Sequence, residues 1–148
     1  MTKIVINQCY GGFGLSPLAI EEYLKRTGKE CYWYTDDIDE TGRCGFKRIE
    51  NIKYYSSLKY VYVYSILKDL GVFTETFGDE YYFSYYNIKR DDPILVAVVE
   101  DLKGKADGRF AELKVVEIPD DVEWEISNYD GIETIHEVHR EWYYGTRI

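Results

Sequence analysis

Three sets of residues in this 148-residue chain have types and spacing suited to chemistry. The first is Cys9-Tyr10-Gly11-Gly12-Phe13-Gly14-Leu15-Ser16-Pro17, directly after the apolar run Ile4-Val5-Ile6. Ser16 is a good helix N-cap and Pro17 suits the first helical position, while Leu15 and Ile20 have the spacing of a hydrophobic staple. A glycine-rich turn running into a helix start aims backbone N–H groups and a positive helix end at whatever lies over it, as an anion-binding loop does. Strict versions of three known phosphate loops are excluded. Pro17 stands where a dinucleotide fingerprint needs its third glycine, and no Gly-Lys-Ser/Thr ending makes a P-loop. A cysteine-phosphatase-like loop would carry arginine at position 15, where Leu15 stands. The alternative is a tight turn that lets strand and helix pack closely.

Cys9 belongs to the same stretch. Near a helix N-terminus a thiol is acidified and can attack as a nucleophile. No base neighbours it in sequence, which favours an ordinary packed thiol. The second set is basic: Arg90, just before the helix start at Asp92-Pro93, and Arg109-Phe110, a pairing able to clamp a phosphate and stack a base. Arg140 and Arg147 are further candidates, each weighed against a surface ion pair with one of the 27 acids. The third set is Glu133, His136 and His139, which a helix would bring near one face. Without an H-E-x-x-H pattern, hydrogen-bonding surface histidines are the simpler reading, and no metal is expected.

The expected fold is α+β: one compact domain over residues 1–148 with a mixed β-sheet and about three to four helices. A strand at 4–6, the glycine turn, a helix from 17 to about 27 stopped by Gly28, and an aromatic strand at 30–35 predict a βαβ-like unit with a parallel pair. Residues 36–45 read as a loop, and 46–55 as containing a further strand. Residues 58–70 alternate like a strand at Tyr60–Tyr64 but also repeat at helical spacing, and the length favours a helix. Gly78-Asp79 marks a turn before a strand at 80–86. Asp92-Pro93 opens a helix with the apolar stripe Ile94, Leu95, Val98, Val99 and Leu102, closed by Gly104. Residues 113–118 and 122–126 form a C-terminal hairpin around Pro119-Asp120-Asp121. Asp130 and Glu133 have capping-box spacing and start a last helix.

Composition narrows the function. A net charge of −9 excludes a broad nucleic-acid-binding face, yet leaves room for a small phosphorylated ligand in a local basic site. No apolar stretch approaches the roughly 20 residues of a membrane span, and the N-terminus lacks a secretory pattern. Cys9, Cys31 and Cys44 lack C-x-x-C spacing, which points to a reduced, cytoplasmic setting. The 16 tyrosines suit strands and cores, but also interfaces and ring ligands.

Several segments resemble a widespread family of small tailed-phage proteins. They are Cys9-Tyr10-Gly11-Gly12-Phe13-Gly14-Leu15-Ser16, Arg90-Asp91-Asp92-Pro93, Val116-Glu117-Ile118-Pro119-Asp120-Asp121-Val122-Glu123-Trp124-Glu125-Ile126, Tyr129-Asp130-Gly131 and His139-Arg140-Glu141-Trp142. The resemblance spans both ends of the chain, and residues 36–79 lie outside it. It implies a bacteriophage protein active in the host cytoplasm. Small phage proteins include anti-defence sponges that sequester nucleotide immune signals, such as cyclic dinucleotides or cyclic ADP-ribose species, without cleaving them. Such sponges are usually symmetric oligomers with pockets at or near subunit interfaces. No sponge motif matches residue by residue, so the site is read from the residues themselves.

The expectation is a non-enzymatic, homo-oligomeric protein that holds a small anionic nucleotide, without cofactor, metal, nucleic-acid polymer or membrane. The ligand-binding set is Cys9, Tyr10, Gly11, Gly12, Phe13, Gly14, Ser16, Arg90, Arg109 and Phe110. One alternative is an interaction module that inhibits a host protein through its tyrosine-rich surface. Another is a nucleotide or phosphoester hydrolase using Cys9 or a metal at Glu133, His136 and His139.

Overall fold

The N-terminal apolar run forms β1 (Thr2–Asn7), in which Ile4, Val5, Ile6 and Asn7 are all buried. The computed structural model describes residues 1–38, 44–50, 62–73 and 80–138. Two helices pack against each other behind β1: α1 (Pro17–Arg26) and α2 (Pro93–Leu102). Both start as their local sequence dictates. Ser16 Oγ accepts from the Ala19 amide at 3.1 Å. Asp92 Oδ1 accepts from Ile94 at 2.8 Å, with a proline in the first turn of each helix. Ala19, Ile20 and Leu24 of α1 meet Leu95, Val96, Val98 and Val99 of α2 in the main core, joined by Val5, Phe13 and Leu15.

β1 pairs with β6 (Leu113–Ile118), antiparallel, from Thr2 opposite Ile118 to Asn7 opposite Leu113. A separate four-stranded sheet runs in the order β4 (Tyr62–Ser65), β2 (Tyr32–Ile38), β3 (Cys44–Ile49), β5 (Val72–Phe73), again antiparallel throughout. Trp33 and Ile49 face each other across β2 and β3 and join the main core. Tyr34, fully buried, centres a second small cluster with Tyr32, Phe46, Leu70 and Tyr81. The last element is a hairpin of β7 (Trp124–Tyr129) and β8 (Ile132–Glu137).

The α+β class, α1, α2 and the strands expected around 30–35, 46–55 and 113–118 are present, and several other expectations are corrected. The βαβ unit with a parallel pair is absent among the described residues, because β1 takes β6 as an antiparallel partner and β2 enters a different sheet. Among the described residues the strands form three antiparallel sheets rather than one mixed sheet. A run buried on both faces does not require a parallel partner when helices and a hairpin cover it.

Of the expected helix at 58–70, residues 62–65 are a strand paired with β2, and 58–61 lie outside the described residues. The strand expected at 80–86 is replaced by a turn and a 3-10 turn at Tyr85–Asn87. Residues 113–118 and 122–126 do not pair with each other, since the hairpin joins β7 to β8. Of the expected last helix, residues 132–137 are a strand, and 139–148 lie outside the described residues. Asp130 and Gly131 both adopt positive φ, 51° and 95°, as a two-residue type I′ turn requires, so Asp-Gly outweighs the capping-box spacing. With this, the described residues hold two α-helices rather than three or four. Of the loop expected at 36–45, residues 36–38 end β2 and 44–45 begin β3, while 39–43 lie outside the described residues, as does Gly78-Asp79.

Candidate functional site

The expected ligand-binding residues converge on one end of the β1–β6 pair. Asn7, which ends β1 with no exposed surface, organises them. Its Nδ2 donates to the Cys9 and Gly131 carbonyls, both at 2.7 Å, and its Oδ1 accepts from the Glu112 amide at 2.8 Å. The Asn7 backbone N–H donates to Glu133 Oε1 at 2.8 Å. One side chain thus joins the glycine turn, the start of β6 and the β7–β8 turn. Asn7 was not among the expected site residues. A polar side chain closing a buried apolar run was the signal available in the sequence.

The glycines let these backbones touch. A Cβ added at Gly131 would lie 2.5 Å from the amide nitrogens of Gly11 and Gly12. One added at Gly11 would lie 2.4 Å from the Phe110 carbonyl oxygen, and one at Gly108 would lie 2.7 Å from the Gly14 carbonyl carbon. Cys9 Sγ lies 3.1 Å from the Phe110 carbonyl oxygen and donates to it. The Gly131 turn therefore sits over the N–H groups that were expected to face a ligand.

Other expected contacts are satisfied internally. Arg90 donates through both terminal nitrogens to Glu133, at 2.7 and 2.8 Å, and to the Val5 carbonyl at 3.2 Å. The Glu133 side chain is only 4% exposed, so this is a buried, bidentate ion pair. The Arg90 guanidinium lies 3.4 Å from the Phe13 ring centroid, and Phe13 is itself buried against Tyr85. Burial and a hydrogen bond with Tyr86 push the Tyr85 hydroxyl well above the usual phenol range. Ser16 donates its hydroxyl to Lys105 O at 2.6 Å and its backbone N–H to Ala106 O at 2.9 Å. The segment after α2 thus covers the N-terminus of α1.

Solvent reaches a different subset. Tyr10 is 67% and Phe110 64% exposed, and the exposed Arg109 lies over the Phe110 ring at 5.1 Å. Tyr129, at the end of β7 beside the Gly131 turn, and Tyr86, tilted against Tyr85, are also exposed and were not foreseen. Three exposed groups of the expected set thus stand on a base of close glycine contacts and buried hydrogen bonds.

The proposed chemistry of the C-terminal region changes with its fold. Glu133 points inward to Arg90, whereas His136 lies on the outer face of the hairpin; His139, Arg140 and Arg147 are outside the described residues. Among the described residues, no group of three His, Cys, Asp or Glu side chains is placed to hold a metal ion. Ser127 Oγ lies 2.5 Å and Glu125 Oε1 3.4 Å from the same nitrogen of His136. A nucleophile relay needs its two partners on opposite ring nitrogens, so this trio lacks that geometry. Among the described residues no helix is long and apolar enough to cross a membrane.

Comparisons with protein-family models, curated proteins and solved structures found no match to this chain.

Proposed function

We propose that this protein is a non-enzymatic binder that captures a small anionic nucleotide on the face formed by Tyr10, Arg109 and Phe110. The observation that carries the reading is the Arg109 guanidinium held over an exposed Phe110 ring, next to exposed Tyr10. Aromatic faces stack on bases of any identity, and arginine meets phosphate through paired N–H donors. The buried hydrogen bonds of Asn7 and the close Gly11–Phe110 contact support a pre-organised platform, which lowers the ordering cost of binding. The face is open, so a second copy of the chain would supply the opposite wall. In the setting implied by the phage resemblance, the ligand is a cyclic dinucleotide or cyclic ADP-ribose immune signal held intact in the host cytoplasm.

Calorimetric titration of the purified protein with a panel of those nucleotides tests this. Saturable binding is expected, with the ligand recovered unchanged, and Arg109→Ala or Phe110→Ala should weaken it by about tenfold. No binding across the panel would overturn it. A second reading rests on four of the exposed aromatic rings, Tyr10, Tyr86, Phe110 and Tyr129, which resemble the anchors of protein interfaces. It predicts a host protein whose capture is lost in the Tyr10→Ala/Phe110→Ala double variant while nucleotides give no signal.

A further inference from the structure

Three segments far apart in sequence meet around Gly11. Gly11 lies against the Phe110 carbonyl, and the Gly131 turn lies over the Gly11 and Gly12 amides. The Asn7 side chain ties two of these segments together, donating to Cys9 O and Gly131 O, both at 2.7 Å. Each segment carries one exposed ring close to the junction: Tyr10 beside Gly11, Phe110 itself, and Tyr129, which ends β7 two residues before Gly131. Tyr129 is the most exposed of the three, at 78%. Among the described residues, none of these three rings packs against another aromatic ring.

The close contacts bound the spacing. Counted along covalent bonds and Cα steps from those contacts, the Tyr10 and Phe110 Cα atoms lie within roughly 10 Å of each other, and the Tyr10 and Tyr129 Cα atoms within roughly 14 Å. Each ring offers a free face for stacking, and the buried hydrogen bonds beneath fix the backbones that carry them. A single base covers one such platform, whereas a ligand with two bases reaches rings on different segments.

Charge narrows the ligand further. Within residues 8–12, 108–112 and 128–132, Arg109 is the only cation, and Glu112 and Asp130 are acids. Lys114 lies 3.8 Å from Glu112, while Asp130 stands at the tip of the β7–β8 turn with φ 51°. A lone guanidinium matches the single charge of a phosphodiester through paired donors. A nucleoside triphosphate brings several charges toward the same two carboxylates and is repelled. The junction is rich in ring faces and poor in positive charge.

Resting on the nucleotide reading of the Tyr10–Phe110 face, we propose that Tyr129 is a further stacking residue of that site and that the ligand is a dinucleotide joined by phosphodiester bonds. One base stacks at Tyr10 and Phe110 and the other on Tyr129, with Arg109 on a phosphodiester between them. A mononucleotide fills one platform only.

Calorimetric titration of the full chain with cyclic diadenylate, cyclic diguanylate, AMP, GMP, ATP and GTP tests this. At least one dinucleotide should bind about tenfold tighter than its mononucleotide, the worth of one further stacked base. The triphosphates should bind no tighter than the monophosphates. Tyr129→Ala, at an exposed ring, should lower dinucleotide affinity about tenfold and leave the mononucleotides unchanged, and Tyr129→Phe, which keeps the ring, should retain the native affinity. Equal affinity for mono- and dinucleotides, triphosphates binding tightest, or a Tyr129→Ala variant that weakens neither class or both alike would each overturn the proposal. In those cases a loss of mononucleotide binding in Arg109→Ala leaves the Tyr10–Phe110 face standing. No binding of any of the six overturns both readings.

Discussion

At Asn7 a buried side chain donates twice and accepts from Glu112 and Cys9, whereas at Trp33 a buried ring leaves its N–H without a geometric partner. The first region is assembled from segments far apart in sequence: the glycine turn, Arg90, the start of β6 and the β7–β8 turn. Its polar groups find partners inside the protein, and Glu133 alone receives Arg90 and the Asn7 amide. The second region is built from α1 and its neighbouring strands, with aromatic and aliphatic packing at its base and lysines at its mouth. The contrast teaches that residue type is a poor guide to availability. Arg90, Ser16 and the Gly11–Gly12 amides looked like ligand donors and are covered or paired. Trp33 read as a strand aromatic, and its N–H is buried beside the Cys31 sulfur.

If the first region is a closed polar network, breaking it should cost most. Arg90→Met leaves the Glu133 carboxylate buried without its cation and should cost about 3–5 kcal/mol in urea unfolding. Adding Glu133→Gln should recover much of that loss, because both charges are then gone and an amide oxygen still accepts from the Asn7 N–H. A single-variant loss below about 1 kcal/mol would show that Glu133 is solvated after all. Gly131→Ala combines a φ of 95° with contact on two amide nitrogens, and should cost about 3 kcal/mol.

A smaller effect of opposite sign is expected where the chain leaves α2. Lys103 has φ 53° and ψ −133°, a conformation suited to glycine, on the segment that covers the start of α1. Lys103→Gly should raise stability by about 1 kcal/mol, read as a higher urea midpoint with unchanged slope.

The second region should show itself through pH. The Cys31 thiol is raised in the folded state, so the folded protein holds its proton where the unfolded chain has lost it. Its contribution to stability is therefore full below pH 9.0 and is lost as pH rises toward about 11. Comparing urea midpoints of the native chain and Cys31→Ala across that window checks it: the variant should show the shallower decline.

Much of the local structure was legible. Ser16-Pro17 and Asp92-Pro93 each specify a helix start within a few residues, because capping is a contact between near neighbours. The strands expected at 30–35 and 113–118 followed from aromatic and β-branched content, although β2 runs on to Ile38, where a loop was expected. The Asp130-Gly131 turn was equally local, yet the Glu133 spacing and the apolar residues after it competed as a helix start. Alternation at Tyr60–Tyr64 lost to length in the same way, and residues 62–65 proved to be strand. Of the candidate site, the sequence contained every member of the Tyr10, Arg109 and Phe110 face, but not the reason those three remain exposed.

By itself, then, the sequence determined the α+β class, both helix starts, the acidic charge and the residue types that could meet an anion. Tertiary structure alone decided that β1 takes β6 rather than β2, that Arg90 crosses Phe13 to reach Glu133, and that Gly131 covers the glycine turn. The physical reason is range. Caps and turns are settled by hydrogen bonds between close neighbours along the chain. Strand pairing and burial are settled by which distant surfaces exclude water together, and only the folded chain brings residues 7, 90, 110 and 133 to one place.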